Sequence, residues 1–158
     1  MEPQIVQLGN MYLMGESRRM TLTGDKTVEL WKSFKPKVKT IQGQKDGYFY
    51  NLSIYPESFD LNTFTSDTRF IRWAAVHVHA DEELPEGLES FLLHGGLYAV
   101  FIHKGPAHTF VQTLDKIFNE WLPNSSYELD GRPHFERMGP DYRVDDLNAE
   151  EEVWVPIK

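Results

Sequence analysis

The sequence predicts an α+β domain made of two copies of one unit: strand, helix, strand, strand. Three observations predict it. The same succession of segment types occurs in each half of the 158-residue chain, each half contains one segment with an apolar stripe at helical spacing, and the last strands of the halves align without a gap. A single domain is expected over residues 1–158, with one unit over about 4–84 and the other over about 88–158.

The first unit opens with the apolar strand "QIVQLGNMYLMGES" and continues into the helix "DKTVELWKSFKPKVKTI". Val28, Trp31, Phe34 or Lys35, and Val38 form that helix's stripe, and Pro36, which lacks an N–H, is expected to kink or shorten it. Strands follow around "GYFYNLSIYP" and "FIRWAAVHVHA", the first entered through the turn pair Asp46-Gly47. In the second unit the strand is "GGLYAVFIHKG" and the helix is "HTFVQTLDKIFNEWL", where Phe110, Leu114, Ile117, Phe118 and Trp121 share one face and Pro123 supplies the stop. Its later strands lie around "RPHFERMG", after Asp130-Gly131, and "EEVWVPIK".

Aligning the terminal strands puts Val76 on Val153 and Val78 on Val155. Alternation then sends Val76, Val78, Val153, Val155 and Ile157 toward the helices, and Ala75, His77, Glu152 and Trp154 to the other face. Glu151 has helix-facing parity and is expected to reach solvent at the strand's entrance. Tyr12 and Tyr98 are expected to be equivalent tyrosines of the two units.

Composition narrows the chemistry. With no cysteine there is no disulfide, thiolate metal site or cysteine nucleophile. The formal charge is −8, and both sides of Gly87 carry 12 acidic residues against 10 basic ones before it and 6 after. The basic candidates, Arg18-Arg19 and Lys32, Lys35, Lys37 and Lys39, read as a solvated face, so no direct nucleic-acid contact is expected. No apolar run has membrane-spanning length and no signal-peptide layout opens the chain, which predicts a cytoplasmic protein. His77 and His79 have a chelating spacing but no evident third ligand, so neither metal nor other cofactor is expected. A serine nucleophile is not expected, because there is no Gly-x-Ser-x-Gly elbow and Ser125-Ser126 follow a helix stop.

The words "GGLYAVFIHKGP", "WLPNSSYEL", "RPHFE" and "EVWVPI", in this order over residues 88–158, resemble the GyrI-like small-molecule-binding family. This is the effector-binding domain of many bacterial transcription activators. The resemblance implies two joined sheets around a central groove, with the helices behind. It also implies that a glutamate of the terminal strand meets the ligand, often a lipophilic cation, among aromatic side chains; the matching position is Glu152. Trp154, His77, Tyr98, Tyr12, Tyr50 and Phe135 are the expected lining. The expected role is sensing or sequestering a small, hydrophobic, cationic organic ligand, without the helix-turn-helix domain that precedes the binding domain in those activators. One alternative is a hydrolase of strained electrophilic small molecules, with Glu152 as general base and Tyr98 assisting. A second is a topoisomerase-inhibitor-like module whose acidic surface meets a protein partner.

Overall fold

The computed structural model describes Met1–Lys158. Strands β1 (Gln4–Leu8) and β2 (Met11–Met20) lead into helix α1 (Thr27–Phe34), which tightens to a 3-10 helix over Lys35–Thr40, followed by β3 (Gln44–Ile54) and β4 (Phe70–Val78). The second half repeats the order with β5 (Glu89–Leu93), β6 (Gly96–Lys104), helix α2 (110–124), β7 (His134–Met138) and β8 (Glu150–Pro156). All eight strands form one antiparallel sheet in the order β1-β6-β8-β7-β3-β4-β2-β5.

Register makes the duplication explicit. Val76 pairs with Met14 and Phe49, and Val153 pairs with Phe101 and Glu136, so the valines are equivalent as the alignment predicts. At the centre Phe49 pairs with Met138 and Asn51 with Glu136. This reciprocal pattern places a pseudo-twofold axis at the Tyr50–Arg137 pair. The tyrosine equivalence does not hold, because Tyr12 pairs with Val78 on the helix face whereas Tyr98 pairs with Pro156 on the other. Met11 is the counterpart of Tyr98. β2 is buried at Met11, Leu13 and Met14, hence on both faces, so its pattern does not specify a register, and a slip of one residue exchanges faces.

The expected opening strand is divided at Gly9-Asn10, and its halves serve different units. β1 crosses to pair with β6, while β5, which the sequence pattern did not reveal, pairs with β2. Each unit thus lends its leading strand to the other. Where the two connections cross, the Gly95 N–H donates to Asn10 Oδ1 at 2.8 Å, and any Cβ on Gly95 would overlap the Leu8 carbonyl.

Both helices cover the same face. Leu30 and Phe34 of α1 pack on Met14, Ala74, Val76 and Val78, and Ile117 of α2 packs on Ala99, Phe101, Val153 and Val155. Pro36 acts as expected, the α-helix giving way at Lys35; Pro123 instead sits inside the last turn of α2, which ends at Asn124. The face away from the helices is buried too. Tyr50, Leu52, Trp73, Tyr98, Phe135 and Trp154 join residues from both ends of the sheet in a single cluster, because the sheet curls about this face into a half-barrel.

Gly15 is the tightest point of the β2–β4 pairing, since a Cβ there would overlap the Ala74 carbonyl. Gly15→Ala is expected to cost about 2 kcal/mol or more, or to prevent folding, because backbone on both sides must shift. Gly9→Ala meets nothing within 4 Å and should stay within about 0.5 kcal/mol of wild type in urea denaturation.

Candidate functional site

Six of the seven residues expected to line a groove lie on the face away from the helices, where Tyr50, Tyr98, Phe135 and Trp154 form packed core and His77 and Glu152 stay part-exposed at its margin. Phe135 stacks on Trp154 at 5.1 Å between centroids, and Tyr98 meets both rings edge-on at 5.4 and 5.8 Å. The Tyr98 hydroxyl donates to the Pro133 carbonyl at 2.8 Å, and burial pushes its pKa up to about 12. Tyr50 donates to Asp46 at 2.5 Å, and His77 Nδ1 lies 3.1 Å from the same carboxylate. Glu152 is at the edge of this cluster. Arg137 donates to both its oxygens, at 2.6 and 2.9 Å, and Trp154 Nε1 donates at 3.1 Å. Tyr12 is on the opposite face and 44% exposed.

A cavity flanked by carboxylates opens on the helix side, along the seam between α1 and α2. Its volume is about 520 Å³, within the size range of small-molecule pockets, and it is walled by Trp31 of α1, Phe110 of α2, Phe49 of β3 and Tyr142 of the β7–β8 loop. Two carboxylates line it, Glu136 and Glu151. Both follow from strand parity: Glu136 pairs with Val153 and Glu151 with Met138, so they stand diagonally across β7 and β8 on the helix-facing side. Asn51 joins the wall to the acids, accepting from Trp31 Nε1 at 3.0 Å and donating to Glu136 at 3.5 Å. The loop carrying Tyr142 is pinned at the entrance to α2, where the Ala107 N–H donates to Val144 and the Gly105 N–H to Ala149, both at 2.8 Å.

Neither acid has a lysine or arginine at ion-pair distance, in contrast to Glu16, which holds Lys37 at 3.1 Å, and Glu152. Glu151, expected to reach solvent, is 7% exposed, because α2 and the Tyr142 loop close over the start of β8. Desolvation, reinforced by the negative charge of Glu136, raises its pKa to about 7, and the nearby Tyr142 hydroxyl only partly opposes this. Burial also raises Glu136, against the field of Arg72 and the Asn51 bond. The sequence signal for this pair is a charged residue at helix-facing parity in each of two late strands. His79 lies exposed beyond the end of β4, and no group of three His, Asp or Glu side chains is arranged to hold a metal ion. No helix is long and apolar enough to cross a membrane.

A duplicated sheet with a seam cavity, aromatic walls and unpaired carboxylates defines a small-molecule-binding domain. The chain belongs to the GyrI-like small molecule binding domain family, which matches over residues 1–158. It is 26% identical over 159 residues to the transcriptional regulator BrlR of Pseudomonas aeruginosa, covering 99% of this chain but 56% of that protein. Among solved structures, SAV2435 bound to tetraphenylphosphonium superposes with a TM-score of 0.71 at 18% identity, over 100% of this chain and 94% of its own. A hydrolase encoded by lin2189 of Listeria innocua superposes at 0.63 with 11% identity, over 99% and 92% of the chains. These likenesses are likenesses of fold.

Because folding raises the pKa of Glu151 from 4.5 to about 7, the folded state binds its proton more tightly than the unfolded chain. Its contribution to stability is complete below about pH 4.5 and is lost as pH rises through about 7. Thermal melts across this window should show wild type losing stability relative to Glu151→Gln, whose amide does not titrate. A wild-type-to-variant difference independent of pH would place the carboxyl in solvent.

Proposed function

We propose that this domain binds a small lipophilic cation in the seam between α1 and α2, held against Glu136 and Glu151 and enclosed by Trp31, Phe49 and Phe110. One observation carries the reading: two carboxylates with no lysine or arginine at ion-pair distance line an aromatic cavity. A buried carboxylate lacking a counter-charge is costly, and an organic cation supplies that charge while its hydrocarbon surface replaces water against the rings. Ring faces attract the same cation, by about 0.5–2 kcal/mol for each well-placed contact. Tetraphenylphosphonium bound to a structural neighbour agrees in ligand class, and the BrlR relationship supports a role in which occupancy of the cavity is read out as regulation.

Glu152 is the alternative anchor. A ligand placed there has to displace Arg137 from both carboxylate oxygens, so it gains one charge contact by breaking another. Hydrolysis of a strained electrophile is the second chemical reading. What favours it is Glu151, which with a pKa of about 7 exchanges a proton near neutrality, and it would place the acid–base group in the seam.

Calorimetric titration with tetraphenylphosphonium tests the site. Glu151→Gln and Glu136→Gln should each weaken binding by about tenfold or more, roughly the value of one charge contact. Glu152→Gln should change it by less than about threefold. Wild-type affinity should rise with pH through about 7, as Glu151 ionises, and this dependence should weaken in Glu151→Gln, where only Glu136 titrates. Loss of binding in Glu152→Gln alone would move the site to the other face of the sheet, and mass spectrometry showing an altered ligand would make the domain an enzyme.

A further inference from the structure

The α1 face that lines the cavity presents Val28, Trp31, Lys32 and Lys35, one residue or two per turn. Lys35 is at the position four residues beyond Trp31, where the apolar stripe would call for a hydrophobic side chain. Its ammonium lies over the Phe49 ring, with Nζ 4.2 Å from the centroid. No carboxylate is within ion-pair distance of it, although Lys37, two residues on, is paired with Glu16. The backbone is held at this point: the Lys35 N–H donates to the Trp31 carbonyl, and Pro36 follows immediately as the helix tightens. A fixed main chain with a long, exposed stem lets the ammonium either rest on Phe49 or swing into solvent.

We propose that Lys35 is a resident cation of the cavity, occupying the Phe49 face in the free protein and setting the ligand's selectivity. The proposal rests on the cation-binding reading of the seam and deepens it. A cationic ligand that uses the Phe49 face has to expel the ammonium and then bind near a displaced positive charge. A neutral ligand of the same shape can share the cavity with it. Lys35 therefore holds cation affinity below what the two carboxylates and the rings would otherwise give, and its removal acts on charged ligands selectively. Its loss is expected to read as a two- to tenfold gain, about the worth of one exposed cation–ring contact together with weak repulsion.

The test compares wild type, Lys35→Met and Lys35→Arg by calorimetric titration with tetraphenylphosphonium and with the neutral triphenylphosphine oxide. Lys35→Met should bind the cation about two- to tenfold tighter and leave the neutral compound within about twofold, while Lys35→Arg stays close to wild type. An unchanged or lower cation affinity in Lys35→Met overturns the proposal, as does an equal gain for both compounds, which would mean simple removal of bulk. A second measurement needs no ligand: in the free protein the Lys35 Hε protons should be shifted upfield by the Phe49 ring and return to the ordinary position in Phe49→Leu. Absence of that shift overturns the proposal whatever the titrations give. A shift present in a protein that binds neither compound, with or without Lys35, leaves the resident cation standing and removes the cation-binding reading itself.

Discussion

An eight-stranded sheet is wider than two helices can cover. Seven strand spacings of about 4.8 Å span roughly 34 Å, whereas two helices of about 10 Å each shield about 20 Å. The chain meets this mismatch in two ways. Its outer strands curl, so that the face away from the helices closes on Tyr50, Tyr98, Phe135 and Trp154 without a second layer. On the helix side, α1 and α2 each settle on their own unit, and a seam above β3 and β7 is left uncovered between them. The cavity is thus a consequence of duplication, since two equivalent helices leave their gap at the axis that relates them.

Chemistry at that axis is not symmetric. Phe49 in one half corresponds to Glu136 in the other, as the matching pairs with Val76 and Val153 require, so one aromatic wall faces one acidic wall across the central strands. Glu151 adds a second acid from β8. Burial drives both carboxylates toward the protonated form, and the charge of Glu136 adds to the effect on Glu151. On the other face Arg137 neutralises Glu152. Adjacent residues of one strand therefore stand in opposite settings: Glu151 has no cation at ion-pair distance, and Glu152 is paired with Arg137 at the rim of the core.

Much of this was legible in the sequence. The stripe from Phe110 to Trp121 located α2 and its buried face, and the alternation around Val153 placed Glu151 and Glu152 on opposite sides of the sheet. The exchange of β1 and β5 between units was not legible, since pairing between strands roughly 75 to 95 residues apart leaves no local periodicity. Nor was the register of β2, apolar on both faces. The resemblance and strand parity both single out Glu152, but parity tells only which face a residue occupies, not which face is sealed. That depends on curl and on the spacing of the helices, and Glu136 becomes visible as a partner of Glu151 only when β7 and β8 are laid side by side.

A crystal structure of the domain with tetraphenylphosphonium would test the central claim most directly, because it locates the cation without relying on any substitution. The phosphonium is expected between α1 and α2, its rings against Trp31, Phe49 and Phe110 and its charge facing Glu136 and Glu151, with the Arg137–Glu152 pair intact on the far side. A cation found against Trp154 with Arg137 displaced from Glu152 would contradict it.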